Sequence, residues 1–140
     1  MTLKQVSVFL ENKPGTLAEL TELLAEKKIN LRALSVAEAP DFGIVRLITA
    51  EPEQAVERLH DAGCICRLSP VLAVGVDDTP GALSRTLRVL DGAGCAVEYA
   101  YASLSPQAGR AFLILGVKDC ERAEAALKAA GVSDTIDGLY

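Results

Sequence analysis

One internal repeat constrains the fold of this chain more than any other feature of its sequence. Residues 12–17 (Asn-Lys-Pro-Gly-Thr-Leu) align with residues 78–83 (Asp-Thr-Pro-Gly-Ala-Leu) at an offset of 66 positions. The same offset pairs Leu24 with Leu90. A register that holds over turn residues and apolar residues alike indicates two copies of one structural unit. In a chain of 140 residues, each copy has about 70 residues.

The extent of the repeat predicts where the two copies meet and where they differ. The offset of 66 still pairs Leu47 with Leu113, and only beyond that point do we expect the second copy to have gained two residues. Almost no linker separates the copies. We predict a first domain at residues 1–69 and a second at residues 70–140, packed rigidly together.

The composition of the chain excludes several classes of partner. It carries 14 Lys and Arg against 19 Asp and Glu, a formal net charge of −5, and no basic stretch. Such a charge balance disfavours nucleic acid and anionic membranes as partners. No apolar run is long enough to cross a bilayer. Four cysteines are too few for a disulfide framework, so we predict reduced thiols in a cytoplasmic protein.

The order of elements in each copy is predicted to be βαββαβ. In the first copy, strands are predicted at 4–10, 29–38, 42–49 and 64–68, with helices after Pro14 and from Pro52. In the second copy, strands are predicted at 71–76, 95–104, 110–117 and within 132–136, with helices at 81–93 and 120–130. The helix at 81–93 is predicted to direct Leu83, Leu87 and Leu90 toward the core.

This element order predicts an α+β fold of two tandem ferredoxin-like units, each an antiparallel sheet with helices on one face. The second face of such a sheet is normally polar. Here residues 71–76 and 111–115 are apolar on both faces of their strands. Because a second chain is the simplest cover for the other face, we predict a homodimer.

The repeated motif resembles a known family. Residues 12–17, the amphipathic helix that follows and the strand start at 29–31 resemble an ACT domain, and residues 78–83 with 95–97 resemble another. The resemblance covers nearly the whole chain and implies a stand-alone pair of ACT domains. ACT domains are regulatory modules that bind small ligands, most often amino acids, at interfaces between ACT units. It therefore implies a regulatory protein that is not an enzyme and needs no cofactor.

By this resemblance, the binding site has two walls. The loop after the first strand and the helix start form one wall, and the start of the second strand of a neighbouring unit forms the other. Free N–H groups and the helix dipole at residues 15–17 favour a carboxylate, and an oxygen of Asn12 or Asp78 would accept from an α-ammonium group. The predicted ligand-binding residues are Asn12, Lys13, Pro14, Gly15, Thr16, Leu17, Asn30, Leu31, Asp78, Thr79, Pro80, Gly81, Ala82, Leu83, Ala96 and Val97.

The same loop residues also have a purely structural interpretation. Any strand-to-helix turn favours Asn12 as a side-chain cap for the free amides and Pro14 in the first helical turn. Asn30 lies between two apolar residues, so its amide needs a hydrogen-bond partner. A ligand and a neighbouring backbone group are equally good candidates for that partner.

Other reactive side chains do not form a catalytic or metal-binding pattern. His60 is the only histidine and is predicted to be solvated on a helix. Cys64 and Cys66 lie on one face of a strand but lack a second Cys or His pair, so buried free thiols are the favoured interpretation and a soft-metal or redox role the alternative. We therefore predict no catalytic residue and no metal site.

Two tyrosines lie in the predicted strand at 95–104. Tyr99 and Tyr101 are predicted to share one face with Val97, because alternate residues of a strand point the same way. There they either pack within the fold, which we favour, or line a pocket, where their rings would stack on an aromatic or imidazole ligand.

Three functions follow from these observations. The leading hypothesis is a non-enzymatic regulatory protein that binds an amino acid at ACT–ACT interfaces. The alternative is a regulatory subunit that docks on a metabolic enzyme without a ligand of its own. A small enzyme ranks last, because Asp77, Asp78 and a lone histidine are the only titratable groups it could use.

Overall fold

The computed structural model describes residues 1–104 and 109–132. Within these ranges the elements are β1 Thr2–Glu11, α1 Thr16–Glu26, β2 Leu31–Glu38, β3 Phe42–Thr49, α2 Pro52–Asp61, β4 Ile65–Asp77, α3 Ala82–Gly92, β5 Val97–Leu104, β6 Arg110–Val117 and α4 Cys120–Ala129. The predicted α+β fold of tandem ferredoxin-like units is confirmed. Of the strand predicted within 132–136, Val132 lies outside any strand, and residues 133–136 lie outside the described residues.

The chain divides into two compact units. One consists of Lys4–Ser69, and the other combines Met1–Leu3 with the residues from Pro70 onward. Met1–Leu3 lies beside β4 in the second unit, where the amide of Ala73 donates to the carbonyl of Met1 at 2.8 Å. Nothing in the repeat indicates this exchange of three residues. The domain boundaries 1–69 and 70–140 stay a prediction.

The strands have the neighbour order expected for this fold. In the first unit the order is β2-β3-β1-β4, and in the second it is β1-β4-β6-β5. Antiparallel pairs place Val6 opposite Leu47 in the first unit and Leu72 opposite Leu115 in the second. Equivalent central strands therefore align residue by residue in the two copies.

This alignment corrects the predicted register of the repeat. Leu47 corresponds to Leu115, not to Leu113, because β3 and β6 are offset by 68 positions while α1 and α3 are offset by 66. The two extra residues lie between β5 and β6, where residues 105–109 replace residues 39–41. A slip of two positions keeps every side chain on the same strand face, so the apolar pattern fits both registers.

The junction between the copies also differs from the prediction. The strands predicted at 64–68 and 71–76 form one strand of 13 residues, β4. The two residues between the predicted strands, Ser69 and Pro70, include no turn-forming glycine or asparagine, and the fixed φ of Pro70 is compatible with extended backbone.

Each unit has a core of its own, built almost entirely from aliphatic side chains. Burying one such side chain contributes about 1.5–3 kcal/mol. The buried residues of the first core are Val6, Val8, Leu20, Leu24, Val45, Leu47, Ala55, Leu59 and Cys66. Those of the second core are Leu72, Val74, Leu90, Leu113, Leu115, Val117, Ala123 and Leu127.

The core-facing side of α3 differs from the prediction at Leu83 and Leu87, which line a groove on the outer side of the helix. Its buried residues are Ala82, Thr86 and Leu90, which follow one another at intervals of four. Leu83 lies beside this stripe and is 46% exposed, and the equivalent Leu17 of α1 is 38% exposed. The leucine spacing alone misplaced the stripe because it gave no weight to the small residue Ala82 and the buried polar residue Thr86.

Central residues on the second face of the sheet are buried within one chain in both units. Ala73 and Ile114 face each other on that side of the second unit and are fully buried. Gln5 and Ile48 of the first unit are fully buried too. The apolar second face therefore does not require a second chain, which removes the reason for predicting a homodimer. The homodimer itself stays a prediction.

Candidate functional site

The loop between β1 and α1 is built around a left-handed glycine. Gly15 is the N-cap residue of α1 with φ +89°, a conformation that disfavours any side chain. No side chain caps the helix, so the predicted cap at Asn12 is wrong. Pro14 precedes the N-cap and is not in the first turn as predicted. The capping interpretation therefore does not explain why Asn12 occurs here.

The loop of the second copy has the same backbone geometry. Gly81 is the N-cap of α3, also with φ +89° and without a side-chain cap. Three backbone hydrogen bonds recur at the same offset of 66. They run from Lys13 to Glu11, Thr16 to Lys13 and Glu19 to Gly15 in the first copy, and from Thr79 to Asp77, Ala82 to Thr79 and Arg85 to Gly81 in the second.

The two loops differ in how firmly they are held. The hydroxyl of Thr16 donates to the carbonyls of Glu11 at 2.9 Å and Lys13 at 3.0 Å. Ala82 replaces Thr16 in the second copy and has no hydroxyl for these bonds. The backbone of the first loop is therefore held by two side-chain hydrogen bonds that the second loop lacks.

The helix starts present hydrogen-bond donors and apolar surface together. The second and third amides of a helix have no acceptor within it, and the helix dipole is positive at this end. In α1 these amides belong to Leu17 and Ala18, and in α3 to Leu83 and Ser84. The exposed leucine side chains lie in the same turn. The arrangement is suited to a carboxylate with an apolar group beside it.

The other predicted wall lies at the far end of each helix. Asn30 and Leu31 follow α1, whose 11 residues span about 16 Å. Ala96 and Val97 follow α3 in the same way. The structure therefore does not bring the loop and the second-strand start together within one unit. The site that the resemblance implies needs the second wall from a neighbouring unit.

Asn30 lines a small cavity of about 160 Å³ in the first unit. Its side chain is exposed, and within the described residues it bonds no neighbouring backbone group. Thr49 lines the same cavity and is 2% exposed, and its hydroxyl has no hydrogen-bond partner among the described residues. Sequence reasoning missed Thr49, for which the only signal is a polar residue that ends an apolar strand. The second copy has Ala96 and Val117 at these two positions and cannot form this polar pair.

His60 and the cysteines have ordinary structural surroundings. The exposed His60 ring has its Nε2 3.0 Å from the carbonyl oxygen of Cys66. Cys66 is a buried free thiol of the first core, as predicted, whereas Cys64 is a half-buried free thiol that precedes β4 and packs against that core. Burial raises the pKa of both thiols, which lowers the fraction of reactive thiolate.

The tyrosines are positioned by an irregularity in β5. Tyr99 pairs with Gly116 and Tyr101 with Ile114, on the face opposite the second core. Val97 packs against that core, so the predicted shared face with Val97 is wrong. A register shift between Val97 and Tyr99 interrupts the alternation of faces. The Tyr99 ring packs over Gly116, where an added Cβ would lie 2.3 Å from its Cε1.

Residues 1–104 and 109–132 contain neither a metal-binding cluster nor a helix that could span a membrane. No group of three or more His, Cys, Asp or Glu side chains could hold a metal ion there. None of the helices described is long and apolar enough to cross a membrane.

Comparison with known proteins places this fold in a family. The family model described as an ACT domain pair matches residues 1–133. A protein of Bacteroides thetaiotaomicron with a crystal structure is 36% identical, with a TM-score of 0.87 over 95% of this chain and 91% of that one. No curated protein matches the chain.

Two more distant structures share the fold alone. The regulatory subunit of aspartate kinase from Thermus thermophilus, in its ligand-free form, is 20% identical, with a TM-score of 0.67 over 94% of this chain and 95% of that one. The same subunit from Thermus flavus is 19% identical, with a TM-score of 0.67 over 94% of each chain. Together with the duplicated loop and the family match over residues 1–133, these findings confirm the resemblance: the chain belongs to the ACT domain pair family.

Proposed function

We propose that this protein is a non-enzymatic regulatory protein that binds an amino acid where two ACT units meet. The observation that carries the proposal is the duplicated helix start. Gly15 and Gly81 give both loops the same left-handed turn, and neither helix has a side-chain cap. Two uncapped helix N-termini, each preceded by a glycine that has no side chain, leave room for a ligand carboxylate.

The loop residues divide the recognition of a zwitterion between them. The carboxylate accepts from the amides of residues 16–18 or 82–84. Asn12 and Asp78 hold exposed side-chain oxygens that do not cap the helices and so remain available for the α-ammonium group. Leu17 and Leu83 offer exposed apolar surface for the ligand side chain or for the facing unit.

The second wall comes from the start of β2 or β5 of a neighbouring unit. Asn30 gives the first copy a polar side chain at this place, whereas Ala96 gives the second copy none. The two copies therefore do not bind equally, and we expect sites that contain Asn30 to be tighter. A homodimer would supply the neighbouring unit.

Binding regulates by favouring one arrangement of units over another, since a ligand shifts an equilibrium only through different contacts in the two states. The output passes to a metabolic enzyme as partner, and the cytoplasm is the proposed location. The fold is shared with regulatory subunits of aspartate kinase, and this is compatible with such a role.

A second candidate function is docking on an enzyme without a ligand. The observation that favours it is the groove on the outer side of α3, which Leu83, Leu87 and Arg88 line. Apolar residues beside a charged rim are typical of a protein interface. On this hypothesis Leu83 contacts the partner enzyme and no amino acid changes the stability of the isolated protein.

Thermal unfolding of the refolded protein against each of the twenty amino acids tests the proposal. Refolding removes any ligand that copurifies. A ligand at about 100 times its Kd adds roughly 2.7 kcal/mol of stability. We expect a selective increase in Tm that Gly15→Val abolishes, because a branched side chain blocks approach to the helix amides.

The matched control is Gly63→Val. Gly63 also has a positive φ, +85°, and open space around it, but it lies outside the loop. It should lower Tm by a similar amount and keep the ligand response. No selective shift from any amino acid would reject the proposal in favour of docking.

A further inference from the structure

Each unit contains a cavity beside its loop, and the two cavities correspond position by position. The first cavity has a volume of about 480 Å³ and the second about 500 Å³. Each lies between the end of a central strand, the first helix and the turn after the second helix. Ten of the eleven positions that line the second cavity have their repeat equivalent in the first. The cavity is therefore a feature of the duplicated unit.

The side chains in the two cavities differ in chemistry. Those of the first cavity include Glu11, Thr16, Glu19, Leu20, Phe42 and Gly63. Their counterparts in the second are Asp77, Ala82, Arg85, Thr86, Arg110 and Gly131. An acid and an aromatic ring in the first copy are thus replaced by two arginines in the second.

Arg85 occupies an electrostatically unfavourable place. Glu19 gives the first turn of α1 the acid that suits the positive end of a helix, whereas the first turn of α3 contains no acid. Arg85 stands at the Glu19 position, and its Nη1 lies 3.2 Å from where a Cβ on Gly81 would be. Within residues 1–104 and 109–132 its guanidinium has no ion pair or hydrogen bond. An anion in the cavity would compensate for this placement.

Arg110 brings a second guanidinium to the same cavity. It is half-buried at the start of β6, and no side chain in the described part of the chain pairs with it. Asp77 lies directly opposite it across the strands and also lines the cavity. The two arginines and one aspartate carry a formal charge of +1. A ligand with two carboxylates and one ammonium group carries −1 and matches all three.

We propose that the second cavity binds a small carboxylate anion, with an acidic amino acid as the best-matched member of that class. One carboxylate binds Arg85 and the other Arg110, since guanidinium groups bind carboxylates through paired hydrogen bonds. Thr86 and Gly131 line the remaining wall. The first cavity, with Glu19 and Phe42, repels the same ligand. This site lies within one unit and shares Ala82 with the interface site proposed above, but its two arginines lie outside that site.

Calorimetric titration of the refolded full chain tests this site. The ligands are glutamate, glutarate, inorganic phosphate and lysine, and the variants are Arg85→Gln and Arg110→Gln. The matched control is Arg88→Gln, which removes the same charge from the same helix but outside the cavity, where Arg88 pairs with Asp91 at 3.2 Å. We expect Arg85→Gln and Arg110→Gln each to raise the Kd for glutamate at least about tenfold, and Arg88→Gln to leave it within about twofold.

The other titrations identify which groups of the ligand bind. Glutarate shares the two carboxylates but lacks the ammonium group, so it should bind more weakly than glutamate and lose less affinity when Asp77→Asn is made. Binding of phosphate without binding of any carboxylate would overturn the proposal. So would a loss of glutamate affinity in Arg88→Gln equal to the loss in Arg85→Gln and Arg110→Gln. Absence of carboxylate binding would overturn it as well.

The ligand-free stability of Arg85→Gln gives an independent readout. If Arg85 binds a ligand, Arg85→Gln should leave the Tm of the ligand-free protein unchanged or raise it. The substitution removes an unpaired positive charge from the positive end of the helix dipole. A lower Tm would assign Arg85 a structural role and count against the site. Glutarate binding that is lost in both arginine variants, together with no amino-acid-induced increase in Tm that depends on Gly15, would support the cavity and reject the interface site. An amino-acid-induced increase in Tm that is unchanged in Arg85→Gln and Arg110→Gln would support the interface site and reject the cavity.

Discussion

Gly15 and Gly81 lie 66 residues apart and adopt the same backbone conformation, with φ +89° in each. Each ends a strand-to-helix loop and serves as the N-cap of its helix. In that conformation a Cβ is strained whatever the space around it. The duplication has therefore kept a geometric requirement as well as a sequence motif.

Replacement of either glycine by alanine should destabilise the protein by about 1–2 kcal/mol, the cost of a left-handed residue with a side chain. A Cβ at Gly15 has nothing within 4 Å, and one at Gly81 meets only the flexible tip of Arg85. The two variants should therefore lose similar stability in urea unfolding. A loss at only one position would show that the two loops are not equivalent.

The packing of Tyr99 on Gly116 predicts a larger effect of a single methyl group. A Cβ at Gly116 would lie 2.3 Å from the Tyr99 ring, so Gly116→Ala should cost about 1–3 kcal/mol through overpacking. Gly43→Ala is the matched control, since its Cβ would have only ordinary contacts at 3.6 Å and beyond. The double variant Tyr99→Leu, Gly116→Ala should lose less than the sum of the single losses in denaturant unfolding. Strict additivity would contradict the contact.

Glu124 predicts an acid-dependent part of the stability. Hydrogen bonds from Lys128 at 2.7 Å and from Thr2 at 2.6 Å lower the pKa of Glu124 to about 2. Because this pKa is below the ordinary value of 4.5, the carboxylate stabilises the fold above that pH, and the contribution is lost as pH falls toward 2.

Glu124→Gln should therefore cost about 1 kcal/mol at neutral pH, allowing for solvent screening of these surface groups. The difference from the unsubstituted protein should shrink between pH 4.5 and pH 2. Urea unfolding at several pH values measures it. A difference that stays constant across this range would contradict the assigned bonds.

The cysteines should react slowly in the folded protein. Burial raises the pKa of the Cys64, Cys66 and Cys120 thiols, and the carboxylates of Asp119 and Glu124 raise that of Cys120 further. Labelling with a thiol reagent at neutral pH should be much slower than in the unfolded chain. Rapid labelling of Cys64 in the native state would contradict this prediction and favour the alternative of a redox role for this thiol.

The sequence predicted the bounds of the helices and most strands within about two positions. The turn residues that bound the helices mark their ends within one or two positions, as at Thr16–Glu26, which follows Pro14 and Gly15. Strand register could not be obtained in the same way, since a slip of two residues leaves the apolar pattern unchanged. The register shift before Tyr99 and the placement of Met1–Leu3 in the second unit depend on tertiary contacts.

The candidate loop could be identified from the sequence because glycine and proline have specific backbone roles. The cavity of the second unit could not. Arg85 and Arg110 are 25 positions apart in the sequence, and only the return of β6 alongside β4 brings them to one cavity. The inversion of charge from Glu19 to Arg85 was visible in the repeat but had no meaning without that geometry.

Amide NMR of the refolded protein, titrated with the amino acid that most raises Tm, tests the central claim most directly. If the helix starts hold the carboxylate, the amide signals of residues 15–18 or 82–84 should shift in proportion to the fraction bound. The signals of residues 63–66, which begin at the left-handed Gly63 and serve as the control, should remain unchanged. Saturable binding that leaves the helix-start amides unshifted would contradict the claim.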